Sequence, residues 1–147
     1  MIASIRRDYE GYEWWSQVSW RGWVDHPDQF LSSLDLLLCP SSDFDPLPTV
    51  MLEAGRAGTP VLAARQGGAP EIVSNGESGW LFDPEDVQGA SRLLEALVGD
   101  RARLQAAGRV AADRVRCGFS VERMCRDYDD LYREVTSRRQ LLHPSVM

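Results

Sequence analysis

The sequence predicts an α/β fold: a Rossmann-like parallel sheet with flanking helices, ending in a helical segment. Three observations carry this prediction. Short apolar runs recur at Leu36–Cys39, Val61–Ala64 and Trp80–Phe82, each of strand length and bounded by turn signals. Segments with helix starts and stops lie between them, which is the alternation that builds parallel sheets. After Asp83-Pro84, apolar residues recur at helical spacing alone.

The elements follow in order. Residues 1–17 show neither a helix nor a strand period, because Tyr9, Tyr12, Trp14 and Trp15 are interleaved with charge. Val18-Ser19-Trp20 alternates as a short strand that breaks at Gly22. Asp28 to Ser33 reads as a short helix turning Phe30, Leu31 and Leu34 inward. Leu36 to Cys39 is continuously apolar, the mark of a strand covered on both faces. A helix over Thr49 to Ala57 follows, closed by Gly58-Thr59-Pro60, and then the strand Val61–Ala64. Gly67-Gly68 turns into a short helix over Pro70 to Val73, with Pro70 suited to its first turn. Asn75-Gly76 and Ser78-Gly79 are turn signals before the strand Trp80–Phe82.

Three helical stripes complete the chain. Val87, Ala90, Leu93, Leu94, Leu97 and Val98 trace one face, and Leu104, Ala107, Ala111 and Val115 a second. Val121, Met124, Cys125, Tyr128, Leu131, Tyr132 and Val135 form the cleanest. Ser120 is its natural N-cap, and Glu122 in the first turn favours the helix dipole. From Ser137 the tail is expected to fray.

Composition narrows the function. At 147 residues the chain fits one domain able to bury a core without staples. A net charge of −6 argues against bulk attraction to nucleic acid or an anionic membrane. All 16 basic residues are arginine, which excludes a lysine-based phosphate contact or Schiff base within this chain. Cys39, Cys117 and Cys125 have no metal-ligand spacing, so buried reduced thiols are expected. His26 and His143 lie far apart, and no metal or cofactor is expected. No apolar run reaches the roughly 18 residues needed to span a bilayer, and residues 1–17 lack the apolar stretch expected of a signal peptide. A cytoplasmic protein is the simplest expectation.

The chemistry concentrates between Pro40 and Gly55. Asp45 sits in a loop stiffened by Pro46 and Pro48, and Glu53 lies in the helix that follows. With 22 acids in the chain, chance alone gives about three pairs at any chosen spacing, so spacing carries little. Context carries more: ligands collect at the carboxyl ends of strands in open parallel sheets, and a helix start offers free amides to an anion. Local physics leaves two readings open. The acids hold the hydroxyls of a ligand, or Asp45 is a turn residue and Glu53 a solvated helix position. Gly67-Gly68 permits close backbone approach to a ligand, though alone it reads more simply as a strand-to-helix turn. Trp14, Trp15, Trp20 and Trp23 read as core or half-buried packing in preference to a stacking platform. Cys39 reads as a buried packing residue.

From about Val18 to Val135, roughly 80% of the chain, the order of short segments resembles the C-terminal half of a GT-B glycosyltransferase of the family 4 (group 1) type. The matching pieces are Arg21-Gly22-Trp23-Val24, Leu34-Asp35 leading to Leu36-Leu37-Leu38-Cys39-Pro40-Ser41, and Asp45-Pro46-Leu47-Pro48-Thr49-Val50-Met51-Leu52-Glu53-Ala54. Gly58-Thr59-Pro60-Val61, Gly67-Gly68-Ala69-Pro70-Glu71, Asn75-Gly76-Glu77-Ser78-Gly79-Trp80-Leu81 and Phe119-Ser120 leading to Leu131-Tyr132 complete them.

The resemblance implies retaining, metal-independent transfer from a nucleotide-diphosphate sugar. It places Asp45 as the catalytic-side acid against the donor sugar and Glu53 on the ribose hydroxyls. Pro46, Leu47, Pro48, Thr49 and Gly22 complete the donor-binding set, with amides around Leu47 to Thr49 meeting sugar and phosphate oxygens. Aspartate stands where the family usually has glutamate, one methylene shorter. The resemblance divides the chain into an unassigned segment 1–17, a partial donor domain 18–136 and a tail 137–147. It implies that a sugar or lipid acceptor is met through an N-terminal domain absent here, together with the first donor-domain strands and their phosphate-clamping residues. The chain alone is then expected to transfer little or no sugar. The competing expectation is a non-catalytic truncated or split module that needs a separate N-terminal domain.

Overall fold

The computed structural model describes residues 2–41 and 43–142. Ser42 of the acid-bearing loop, and His143 with the rest of the tail, lie outside the described residues. Strands β1 (Leu37–Cys39), β2 (Val61–Ala64) and β3 (Gly79–Phe82) form a parallel sheet in the order β1-β2-β3. The register pairs Leu38 with Leu62 and Leu62 with Trp80. Helix α3 (Thr49–Arg56) connects β1 to β2, and α4 (Ala69–Ile72) connects β2 to β3. Helix α2 (Pro27–Ser32) precedes the sheet; α5 (Val87–Val98), α6 (Arg101–Gly118) and α7 (Val121–Leu142) follow it. The N-terminal segment holds α1 (Ile2–Tyr9) and a 3-10 turn over Glu13–Gln17.

The sheet has helices on both faces, as a parallel sheet requires. Strand β2 is buried throughout, and its side chains alternate between two cores. Val61 and Ala63 join Leu31, Met51, Ala54, Ile72 and Leu81 on one side. Leu62 joins Trp80, Leu97, Leu104 and Ala107 on the other. One strand therefore seals two hydrophobic layers, which makes it the anchor of the molecule.

Helix α6 locks the layers together. Its Gly108 passes so close to the α3–β2 turn that a Cβ would sit 2.0 Å from the Gly58 carbonyl oxygen. Arg114 donates from Nε to Ile72 O at 2.7 Å and from a terminal nitrogen to Glu71 O at 2.7 Å, capping the C-terminal end of α4 with a cation. Thr59, 2% exposed, donates to Leu31 O at 2.6 Å and ties α2 to the same turn. Asp86, Asp100 and Ser120 accept from backbone amides and cap α5, α6 and α7.

Several expectations need correction. Val18-Ser19-Trp20 forms no strand and joins no sheet, and alternation without a ladder does not hold an extended segment. Strand β1 is an edge strand covered on one face, with Leu38 46% exposed. Val87, Val98 and Phe30 face outward at the margins of their stripes. Trp23 is 89% exposed instead of packed; Trp15 is half-buried as expected, in a cluster where Tyr9, Tyr12, Trp14, Trp15 and Trp20 pack on one another with centroids 5.6–6.0 Å apart. Cys117 and Cys125 are exposed rather than buried.

The stripe on α7 is exposed along its length, including Met124, Tyr128, Leu131, Tyr132 and Val135. The helix is supported along its own surface by i,i+4 pairs: Arg123 with Asp127 at 3.3 Å, Arg133 with Asp129 at 2.9 Å, and Arg138 with Glu134. It runs past Ser137 to Leu142.

Candidate functional site

The β1–α3 loop leaves the sheet at the carboxyl end of β1. Asp45 is exposed in this loop, and its Oδ1 accepts from the Leu47 amide at 3.0 Å. The carboxylate therefore turns its own loop, and its Oδ2 has no partner among the described residues. Pro48 is buried and serves as the N-cap of α3 without a side-chain hydrogen bond. Its carbonyl accepts from Met51 at 3.0 Å. Pro46, Leu47 and Thr49 are exposed.

The amides available to an anion are fewer than the sequence implied. The Leu47 amide is engaged by Asp45, and proline has none. The Thr49 and Val50 amides stand in the first turn of α3, where a helix supplies no acceptor of its own.

Glu53 is one turn further on and exposed. It opens on a groove of about 540 Å³ between α2 and α3, lined also by Asp28, Gln29, Ser32 and Arg56. None of the Asp28, Gln29, Glu53 and Arg56 side chains is hydrogen-bonded or ion-paired among the described residues. Asp28, Gln29 and Arg56 carried no sequence signal, since each is an ordinary surface residue of a helix. Gly22 lies outside this groove, in an exposed turn with φ +61° and open space where a Cβ would stand. What holds it as glycine is backbone conformation.

Gly67 and Gly68 do make a close backbone approach, but the partner is the Asp45 loop. A Cβ on Gly67 would stand 2.1 Å from Asp45 O, and one on Gly68 would stand 2.1 Å from Pro46 O. The Gly68 amide donates to Asp45 O at 2.9 Å. Gln66, which the sequence did not single out, donates from its side-chain amide to Ser41 O and, at 3.2 Å, to Asp43 O. Its signal in the sequence is slight: with Arg65 it is one of two polar residues between a buried strand and a glycine pair.

Cys39 is buried at the end of β1, as expected, and burial raises its thiol pKa above the ordinary value. Among the described residues, no group of three or more His, Cys, Asp or Glu is placed to hold a metal ion. No helix among them is long and apolar enough to cross a membrane.

The parallel three-stranded sheet flanked by helices matches part of the GT-B glycosyltransferase fold. A family model for glycosyl transferases group 1 matches residues 4–114, and the chain belongs to that family. It is 33% identical over 140 residues to an alpha-maltose-1-phosphate synthase of Mycobacterium tuberculosis, covering 91% of this chain and 35% of that protein. Its fold is similar to sucrose-phosphate synthase from Thermosynechococcus elongatus, with TM-score 0.79 and 26% identity over 93% of this chain and 34% of that one. It is also similar to Anabaena HepE in complex with UDP-glucose, with TM-score 0.80 and 22% identity over 90% of this chain and 36% of that one. That last likeness bears on fold alone. The chain spans 15–35% of the length of the first curated relatives it matches.

Proposed function

We propose that this chain supplies the donor side of a retaining glycosyltransferase that moves a sugar from a nucleotide diphosphate to an acceptor. The carrying observation is a loop-fixed Asp45, with one carboxylate oxygen open among the described residues, followed by Glu53 on a groove whose Asp28, Gln29 and Arg56 side chains are unengaged there. In this reading Asp45 Oδ2 accepts a hydroxyl of the donor sugar, and Glu53 accepts the ribose hydroxyls. The Thr49 and Val50 amides, with the start of the α3 dipole behind them, meet the charge that builds on the departing diphosphate. Pro46 and Pro48 keep the loop in one shape before the donor arrives. Gly22 shapes the turn that leads into α2 beside the groove.

The family match supports this reading. Diphosphate charge is assigned to amides instead of a metal, so chelation should leave nucleotide binding unchanged. Because the chain spans only 15–35% of the length of the first relatives, a sugar or lipid acceptor is assigned to residues beyond these 147 or to a second polypeptide. The surface thiols Cys117 and Cys125 fit a reducing, cytoplasmic setting.

Calorimetry with UDP and GDP on the wild-type chain and on Glu53→Ala tests the site. Loss of hydrogen bonds to a charged group costs about 1.5–3 kcal/mol, so binding should weaken tenfold or more. Equal affinity of the two proteins would remove Glu53 from the site.

A further inference from the structure

We infer that Gln66 is a positioning residue for the donor site: its side-chain amide holds the loop that carries Asp45, and through it sets how much the sugar, as distinct from the nucleotide, contributes to binding. The roles of Asp45 and Glu53 are those of the proposed function above, on which this inference rests.

Among the described residues, the loop before Asp45 has little else to fix it. Its residues 43–45 belong to no helix or strand and are exposed, with Phe44 at 77%. The restraints on that side come from the β2–α4 turn. Gln66 donates to the carbonyls of Ser41 and Asp43, and the Gly68 amide donates to that of Asp45. A carboxamide carries two N–H donors, enough to serve both Ser41 and Asp43 from one fork. The close approach of Gly67 and Gly68 to Asp45 and Pro46 leaves no room for a bulkier turn.

Gln66 itself is well anchored. Its backbone amide donates to Ala64 O at 2.9 Å, and its carbonyl accepts from the Ala69 amide at 3.2 Å. It is thereby tied, just past Arg65, to the end of β2, the strand sealed between two cores. Through Gln66 the position of that rigid strand is passed to the acid loop. Glu53 stands instead on α3, whose own helical bonding and buried Met51 and Ala54 hold it. Losing the Gln66 fork should therefore disturb Asp45 and leave Glu53 in place.

The test compares Gln66→Ala and the near-isosteric Gln66→Glu in the full chain. Glutamate keeps the volume but presents carboxylate oxygens to two carbonyls, so a role in packing alone would be rescued by it and a role as donor would not. In amide hydrogen exchange, both variants should speed exchange at Leu47 and Gly68 about tenfold or more, with Leu62 and Ala63 unchanged. In calorimetry, UDP and GDP should bind within about twofold of wild type. The added affinity of UDP-glucose over UDP, or of GDP-mannose over GDP, should fall about tenfold.

Unchanged exchange at Leu47 and Gly68 in both variants, or full rescue by glutamate, would overturn the positioning role. Equal weakening of nucleotide and nucleotide sugar would overturn its selectivity for Asp45. A wild-type chain that binds no nucleotide, with the exchange result as expected, would instead overturn the donor-site reading and leave the loop-holding role standing.

Discussion

Strand β2 and the apolar stripe of helix α7 stand in opposite surroundings. Val61, Leu62, Ala63 and Ala64 are 0–3% exposed, whereas Met124, Tyr128, Leu131, Tyr132 and Val135 are 49–63% exposed. Periodicity tells which face an element offers, and nothing in it tells whether a partner for that face lies within the same chain. The β2 pattern is answered on one face by the neighbouring α3 and α4 and on the other by α5 and α6, which come later in the same chain. The α7 pattern is answered by nothing among the described residues beyond its first turns, where Val121, Met124 and Tyr128 border an apolar groove with Leu47, Leu52 and Phe119.

The contrast can be broken most directly by matched truncations. Leu62→Ala removes a side chain with 0% exposure and should cost about 2–5 kcal/mol in urea unfolding. Leu131→Ser on the α7 stripe should stay within about 0.5 kcal/mol of wild type. A comparable loss at Leu131 would mean that the stripe is covered in solution, and the contrast would fall.

Helix packing gives the next effect. At Gly108 an added methyl meets the rigid backbone of Gly58, so Gly108→Ala should destabilise by about 1–3 kcal/mol by overpacking. Gly11→Ala, where the space is open, is the control and should not destabilise the fold. Equal stability of the two would show that α6 sits further from the turn than described here.

The smallest effect is chemical. Under native conditions Cys117 and Cys125 should alkylate readily, and Cys39 should label only as the protein unfolds, because burial both hides its thiol and disfavours the thiolate. Mass spectrometry of tryptic peptides reads the order of labelling. Early modification of Cys39 would place the end of β1 outside the core.

Much of the fold was legible because its signals are local. Strand runs, turn glycines and helical stripes each declare themselves within a dozen residues, and β2, α3, α5 and the Ser120 cap of α7 stand where the sequence placed them. The parts that were not legible depend on neighbours distant in sequence. Leu38 has the same composition as Leu62, but one lies on an edge strand and the other in the middle of the sheet. The aromatic residues near the N-terminus look like core residues, yet they pack on each other beside the body. In the site, Asp45 and Glu53 could be picked out from a loop and a helix start. The job of Gln66 could not, because carbonyls more than twenty positions earlier in the chain define it.

The ladder of arginine–carboxylate pairs along α7 has one further consequence. Each exposed pair adds about 0.3–0.5 kcal/mol to the helix, and together they let α7 keep its shape without leaning on the core. Its apolar residues are thus displayed on a ready-made scaffold. Covering them would require no prior ordering of backbone, which removes much of the entropy penalty that usually opposes association. Salt should erode that readiness before it touches the sheet, since the pairs sit in solvent while the sheet is sealed from it.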